Sequence, residues 1–419
     1  VIFLLNNVST SFKKGTALKE GQLMDYKNFD LLNPTETHQM LRDSLKDFVQ
    51  KEVEPQAHEF DKKENFNLSL YKKVGELGLL GLTVPESYGG AGLDASAVCL
   101  VHEELSASDP GFALAYLAHS LLCVNNLAVN GSEAQKQKYL PKLSSGEHIG
   151  SMAMSEPDYG TDVLGMKTTA VKKGDKYVIN GRKMWITNGT IDENKTPCDM
   201  VWLYAKTGEK NGRAQISTFI IEKNDPGFYV GQKITDKLGM RASNTAELVF
   251  ENCEIPADRL VGAEGDSVHH MMRNLEIERV GLAAMSLGIA RRSLEIMNKY
   301  AADRHSFGKP LNFYGQIQKY IADSYAEYKA ASAYVYDTAR KMDLNKEGNR
   351  LDSDGVKLVA TTMAKNVSDR AIQVLGGFGY VAEYVVERLW RDSKLLEIGG
   401  GTIEAHQKNI TRDLAKAGF

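Results

Sequence analysis

Cysteine, proline and tryptophan are scarce in this chain: four, ten and three in 419 residues. Cys99, Cys123, Cys198 and Cys253 form no CxxC pair and have no histidine pair nearby in sequence. That argues against a zinc site or a disulfide framework and for a reducing compartment. Basic tracts are missing as well. Lys and Arg number 51 against 54 Asp and Glu, a formal net charge of −3, so the charge pattern implies no nucleic-acid partner. No uninterrupted apolar run reaches the roughly 20 residues of a membrane span. His119, His269, His270 and His406 show no ligand spacing, so no metal is expected. Internal repeats and low-complexity tracts are also lacking.

What is present is an ordinary globular composition, 42% hydrophobic and 25% charged, in a chain long enough for two or three domains. The first stretch, Val1 to about Met24, stands apart. Its apolar patch Val1–Leu5 is too short for a secretory signal, and it has no arginine-rich transit pattern. Met24 offers an alternative start, and residues 1–32 are read as a leader or extension.

From residue 33 to 147 the pattern is helical. A periodic segment runs from Thr37 through Val53, followed by Ser69–Leu80, Ala95–Ala107 and the nearly uncharged Gly111–Val129. Pro85–Gly92 is a turn cluster, and Ser132 with Gln135 is a capping-box signature. Over residues 148–262 the period changes. Asn180-Gly181 between two β-prone runs reads as a hairpin, and Met200–Ala205, Gln215–Ile221 and Thr245–Phe250 read as strands of a small antiparallel domain. Residues 263–419 are helical again, with Ile277–Tyr300, Leu311–Met342 and Asp352–Leu375 long enough for a bundle. The fold class expected is mostly α with a central β domain.

Several places are candidates for chemistry. Glu278 shares a helical face with Met271, Leu275, Leu282 and Met285, where a carboxylate is costly and its pKa should rise. It is either a partly buried ion-paired glutamate or a tuned proton acceptor. Glu276, with Arg273 and Arg279 three positions away on either side, reads as a solvated ion pair. Met152–Asp162 offers main-chain N–H groups and hydroxyls to a polar ring or phosphate, or is an irregular loop. Trp185–Gly189 is a core tryptophan before a turn, or an aromatic and a hydroxyl presented at a strand end. Gly376-Gly377 and Gly399-Gly400-Gly401 break helices without matching a Rossmann or Walker pattern.

Taken together, several ordered segments resemble the acyl-CoA dehydrogenase family of flavoproteins, from about Asn33 to the C-terminus. They are Ser155-Glu156-Pro157, Trp185–Gly189, Lys237–Arg241, Arg304–Gly308, Gln373–Gly377, and Arg391-Asp392 leading to Gly401-Thr402. The resemblance implies an N-terminal helical domain, a middle β domain and a C-terminal four-helix bundle, usually assembled as a homotetramer or dimer. It also implies FAD as cofactor, an acyl-CoA substrate and electron-transfer flavoprotein as redox partner. Cofactor contacts are implied at Met152, Met154, Ser155, Gly160, Thr161, Trp185, Ile186 and Thr187. Others are implied at Arg304, Phe307, Gln373, Val374, Leu375, Gly376, Gly377, Thr402, Ile403 and Glu404. Substrate contacts are implied at Thr161, Glu276, Ile277, Arg279, Gly400 and Gly401.

Many family members place the catalytic base just before the Gly-Thr of the C-terminal loop, where this chain has Gly400. The isovaleryl-CoA and long-chain branches place it before an arginine on the first bundle helix, which Glu278-Arg279 matches. Ala118–Cys123, Asn130–Lys136 and Met240–Thr245 are most similar to the isovaleryl branch. Thr161, His269, Gly315 and a longer Thr190–Asp199 loop depart from it. The expected activity is α,β-dehydrogenation of a short, branched acyl-CoA. Its rivals are another chain length or an aryl-acyl substrate, an oxidase or monooxygenase on the same scaffold, and a silent scaffold. The expected compartment is the mitochondrial matrix in a eukaryote and the cytoplasm in a bacterium.

Overall fold

The computed structural model describes residues 29–418, so Met24 and the Val1–Leu5 patch lie outside it. Thr35 caps α1 (Glu36–Phe48), the first helix among the described residues, and turns His38, Arg42 and Leu45 inward at helical spacing. The periodic segment does continue to Val53, but its last turn, Val49–Val53, is π-helical. Pro55, at the start of α2 (Glu54–Lys63), has no N–H to bond back four residues, and the wider turn absorbs the missing bond. After α3 (Leu68–Glu76) come α4 (Ala95–Ser106), α5 (Pro110–Leu117), a second π-helical stretch Ala118–Asn125, and α6 (Asn126–Asn130). Pro110–Asn130 is long and apolar enough to cross a membrane, but 83% of its most apolar window is buried within the fold. At α7 (Glu133–Ser145), Ser132 Oγ accepts from Gln135 N while Gln135 Oε1 accepts from Ser132 N, so the capping box forms.

The middle of the chain builds one eight-stranded sheet. Its strands are β1 (Gly150–Ala153), β2 (Thr169–Lys173), β3 (Lys176–Thr187), β4 (Met200–Lys210), β5 (Arg213–Glu222), β6 (Phe228–Ile234), β7 (Thr245–Pro256) and β8 (Leu260–Val261). The sheet runs β6-β7-β3-β2-β4-β5-β8, with β1 on β4.

Two expectations are corrected here. The hairpin turn lies at Gly174, with φ +63, and not at Asn180-Gly181. β3 runs straight through Asn180-Gly181 because β7 pairs along it from Lys176↔Pro256 to Thr187↔Thr245. The Asn-Gly pair makes a bulge instead: the register shifts between Ile179 and Gly181, and a Cβ on Gly181 would lie 2.4 Å from Thr168 Oγ1. The sheet is also mixed and not purely antiparallel, since β1 pairs with β4 in parallel. β1 enters from a helical region, so no tight turn forces it antiparallel.

The last third is the helical bundle. Its helices are α8 (Val268–Asp303), α9 (Gly315–Lys341), α10 (Arg350–Leu375), α11 (Val386–Leu396) and α12 (Ile403–Ala417). At Gly288 a Cβ would sit 2.2 Å from Glu103 O, so glycine is what lets α4 cross α8 closely. Beside that crossing a buried ion network joins the N-terminal helices to the bundle. Arg42 bonds Glu104 Oε1 at 2.6 Å and Tyr336 Oη at 2.7 Å, and Arg291 bonds Glu104 Oε2 at 2.7 Å.

Candidate active site

A cavity of about 610 Å³ opens where the N-terminal helices, the sheet and the bundle meet. Leu114, Leu117, Ala118 and Leu122 form an apolar wall from α5 and the π-helical stretch after it. Wider turns of this kind recur at functional sites. Met152, Met154, Ser155, Gly160 and Thr161 come from β1 and the loop that follows, and Trp185, Ile186 and Thr187 from the end of β3. Glu278 and Leu282 project from α8, and Gly400, Gly401 and Thr402 close the opposite side.

Glu278 is 8% exposed, and burial raises its carboxyl pKa while Lys357 and Arg279 oppose the shift. It is the one carboxylate among the described residues that line the cavity. Gly400 has φ +65, and a Cβ there would lie 3.3 Å from the Glu278 carboxyl carbon. Position 400 therefore lies directly against the Glu278 carboxyl, and a side chain there would press on both Glu278 and Leu282.

The reading of Glu276 as a solvated ion pair is corrected. Glu276 is 5% exposed and accepts from the main-chain N–H of Gly348, at 3.1 Å, and of Asn349, at 2.8 Å. Arg273 turns away to Asn125, Asn126 and the Leu344 carbonyl, and Arg279 lies 3.0 Å from Asp354. Three-residue spacing implies an exposed pair only when the helix has a solvent face, and here α8 is covered on nearly all sides.

Of the other expected contacts, Ile277 is buried in the main core, and neither it nor Arg279 or Glu276 lines the cavity. Ile403 and Glu404 form the first turn of α12 behind its cap Thr402, whose Oγ1 accepts from Ala405 N. Arg304 and Phe307 sit at the far end of α8, with Phe307 95% exposed. Gln373, Gly376 and Gly377 are exposed at the end of α10, with Val374 and Leu375 buried beneath them. None of this second group lines the cavity of its own chain. His269 is exposed beside Glu347 and also lies away from the cavity. Gly315 starts α9 with open space around it. The Thr190–Asp199 loop folds on Asp192, which accepts from Asn194 N and Thr196 N, and Lys195 anchors it to the Gly231 carbonyl of β6.

Composition and periodicity missed the Lys237–Met240 wall and the end of α11, Arg391 to Ile398, as cavity residues. Lys237 is held by the carbonyls of Met240 and Ser243 and by Thr245 Oγ1, and burial pulls its pKa down to about 8. Asp392 accepts from Met240 N at 2.5 Å, and burial pushes its carboxyl up to about 7. A Cβ on Gly239 would meet the Arg391 backbone at 2.5 Å, so this loop lies directly on α11. The four-residue apolar wall left one signal in the sequence, the absence of charge across Gly111–Val129.

The lining offers an aromatic face and several hydroxyls, the groups that a planar aromatic ring with polar edges would need. Trp185 stands 62% exposed at its rim in a left-handed backbone conformation, φ +66, unusual for so large a side chain. The hydroxyls of Ser155, Thr161 and Thr187 line the same space.

Comparison with known families decides the matter. Models for the acyl-CoA dehydrogenase N-terminal, middle and C-terminal domains match residues 35–147, 151–253 and 267–415. The chain belongs to the acyl-CoA dehydrogenase family. It is therefore built as an oxidoreductase. It is 45% identical over 383 residues to the mitochondrial isovaleryl-CoA dehydrogenase of Arabidopsis thaliana, covering 91% of this chain and 92% of that one. It is 40% identical over 417 residues to the mitochondrial 2-methylacyl-CoA dehydrogenase of Solanum tuberosum, covering 99% of both. Among solved structures, a glutaryl-CoA dehydrogenase from Mycobacterium smegmatis in complex with FADH2 superposes with a TM-score of 0.85 at 30% identity, covering 93% of this chain and 96% of that one. In this acyl-CoA dehydrogenase fold the cavity lies where all three matched regions meet.

Proposed function

We propose that the chain is an FAD-dependent acyl-CoA dehydrogenase that converts a short, branched acyl-CoA, isovaleryl-CoA first, to its 2-enoyl-CoA. Electrons then pass to an electron-transfer flavoprotein. The observation that carries this reading is the lone carboxylate Glu278 in a cavity otherwise walled by apolar, hydroxyl and cationic groups.

Glu278 takes a proton from the carbon next to the thioester carbonyl. An acyl chain packed against Leu117, Leu122 and Leu282 expels water and raises the carboxyl pKa further, toward that of the proton it must remove. A main-chain N–H of the Gly399–Thr402 segment polarises the thioester carbonyl, and such preorganised donors are commonly the largest contribution to the rate. Trp185, Thr187, Ser155 and Thr161, which line the cavity, would hold and orient the flavin. When bound there, FAD supplies the two-electron acceptance that no side chain offers.

Arg304, Phe307 and the Gln373–Gly377 segment lie outside the chain's own cavity, and in this reading they contact the cofactor of a neighbouring copy in a homotetramer. Exposed Phe307, Phe313 and Tyr380 support a covered surface there. The mitochondrial names of the relatives support a matrix location.

The purified protein is expected to be yellow, with about one flavin per subunit, and to bleach without oxygen on adding isovaleryl-CoA. A colourless protein that takes up no added FAD would sink the reading. kcat/KM across isovaleryl-, 2-methylbutyryl-, isobutyryl-, butyryl-, octanoyl- and aryl-acyl-CoA tests the substrate. The full-length match to a 2-methylacyl-CoA dehydrogenase makes the 2-methyl-branched thioester the second reading. An optimum at octanoyl-CoA or an aromatic thioester would refute the short branched substrate and leave the dehydrogenase standing.

The closeness of positions 278 and 400 predicts a partial rescue. Glu278→Gly combined with Gly400→Glu should recover some of the turnover lost by Glu278→Gly alone. Recovery stays incomplete because position 400 has φ +65 and its Cβ would lie 2.5 Å from Leu282 Cδ1. A misplacement of about 1 Å can cost on the order of 10²-fold. A double variant no faster than the single one would show that the two carboxyl groups do not reach the same atom.

A further inference from the structure

Behind Glu278, on the side away from the cavity, lies a buried polar cluster that the reaction as described does not use. Asp354 and Lys357 lie about one turn apart on α10, and both are fully buried. Lys357 Nζ donates to the Gly401 carbonyl at 2.6 Å and lies 3.1 Å from His406 Nε2. His406 Nδ1 lies 2.5 Å from Asp354 Oδ1, which also faces Arg279 Nη1 at 3.0 Å. Arg279 Nε reaches the Gly400 carbonyl at 3.5 Å.

The tautomer follows from these contacts. Burial lowers the pKa of His406 and favours the neutral ring. A carboxylate accepts at Nδ1, so that nitrogen carries the proton. Nε2 is then an acceptor like the Gly401 oxygen 3.0 Å away, and the Lys357 ammonium supplies a hydrogen to each. The charges sort in the same way. Arg279 pairs with Asp354, whereas Lys357 donates to two neutral acceptors and has Glu278 as the largest charge facing it.

We propose that Lys357, oriented by Asp354 through His406, is the positioning residue of the base: it holds the Gly400–Gly401 wall and supplies the buried positive charge against which Glu278 ionises. This rests on Glu278 being the base. Burial pushes Glu278 up and Lys357 down, the latter to about 7, and the attraction between the two opposes burial at both, so each favours the charged form of the other. The other charged or titratable groups facing the pair are Asp354 on α10, Arg279 on α8, Glu397 just after α11, His406 on α12 and the buried Tyr204 phenol on β4.

The test uses flavin-loaded enzyme. Lys357→Gln keeps an N–H for the Gly401 carbonyl but removes the charge, and Lys357→Arg keeps the charge. Without the cation, neutral Glu278 is favoured, so the acid limb of kcat/KM should move to higher pH by about one unit in Lys357→Gln. It should stay in place in Lys357→Arg. A role confined to anchoring the loop would lower kcat in both variants and leave the limb unmoved, which overturns the proposal.

Infrared titration provides a readout independent of turnover. The carboxyl band missing in Glu278→Gln identifies Glu278, and its midpoint should rise in Lys357→Gln by the same amount. An unmoved midpoint overturns the proposal even if Lys357→Arg, which enlarges a fully buried side chain, fails to fold. Glu278→Gln separates the two claims. If it stays active, the base assignment and this proposal both fall. If it is inactive while the Lys357→Gln limb does not move, only the role of Lys357 falls.

Discussion

Glu278→Gln is expected to give a folded, yellow protein whose turnover has dropped by about 10²–10⁴-fold, the usual contribution of a general base. The amide nearly matches the carboxyl in size but cannot take the α-proton. The same substitution should not destabilise the fold. A carboxyl group whose folded pKa is raised binds its proton more tightly in the folded than in the unfolded chain. Stability therefore falls as pH rises from the unfolded value through the folded one, and Gln escapes that loss. The variant should melt at or above the wild-type temperature, with the difference growing as pH rises through that window, a trade of stability for function.

Glu276→Gln should behave differently in turnover. Glu276 anchors Gly348 and Asn349 and does not line the cavity, and the Gln oxygen can still accept from both N–H groups, so the substitution should largely spare kcat. Matching kinetic losses in the two variants, or a greater loss at Glu276, would remove Glu278 from the role of base.

The second large effect is one of stability. Lys183 is fully buried, and its Nζ lies 2.9 Å from both Glu156 Oε1 and the Met154 carbonyl. Burial pulls the ammonium down to about 8, against the pull of Glu156. Glu156 in turn accepts from Lys167 N and Thr168 N, so this pair ties β3 to the segment that presents Met154 and Ser155 to the cavity. Lys183→Met leaves a carboxylate 5% exposed without its cation, and breaking a buried pair in this way costs about 3–5 kcal/mol. Adding Glu156→Gln should return part of that loss, because the remaining buried charge is removed. Thermal melts of the two single variants and the double variant measure the coupling. A Lys183→Met protein as stable as wild type would show that the pair contributes nothing.

Some of this was legible in the residues. The α–β–α order follows from a change of hydrophobic period, and the Ser132–Gln135 cap from two side chains that bond each other's backbone. Glu278 drew attention because a carboxylate on an apolar helical face is costly wherever that helix packs. The Asn180-Gly181 hairpin went wrong for a definite reason. Asn-Gly marks a place where backbone with positive φ is cheap, and both a turn and a bulge satisfy that. Pairing of β7 along the whole of β3 decided between them.

Through its own local patterns the chain determined the helical–β–helical order, which faces are apolar, and that position 400 carries no carboxylate. Its ordered motifs determined the family. Only the tertiary structure decided that Glu276 is buried, because the same spacing of charges serves an exposed helix face and a covered one. It alone brought Leu117, Trp185, Lys237, Glu278 and Gly400 around one cavity and set Asp354, Lys357 and His406 behind the base. Local sequence encodes the energy of neighbours along the chain. The field at the Glu278 carboxyl comes from groups that are neighbours only in space, where low dielectric makes each charge count.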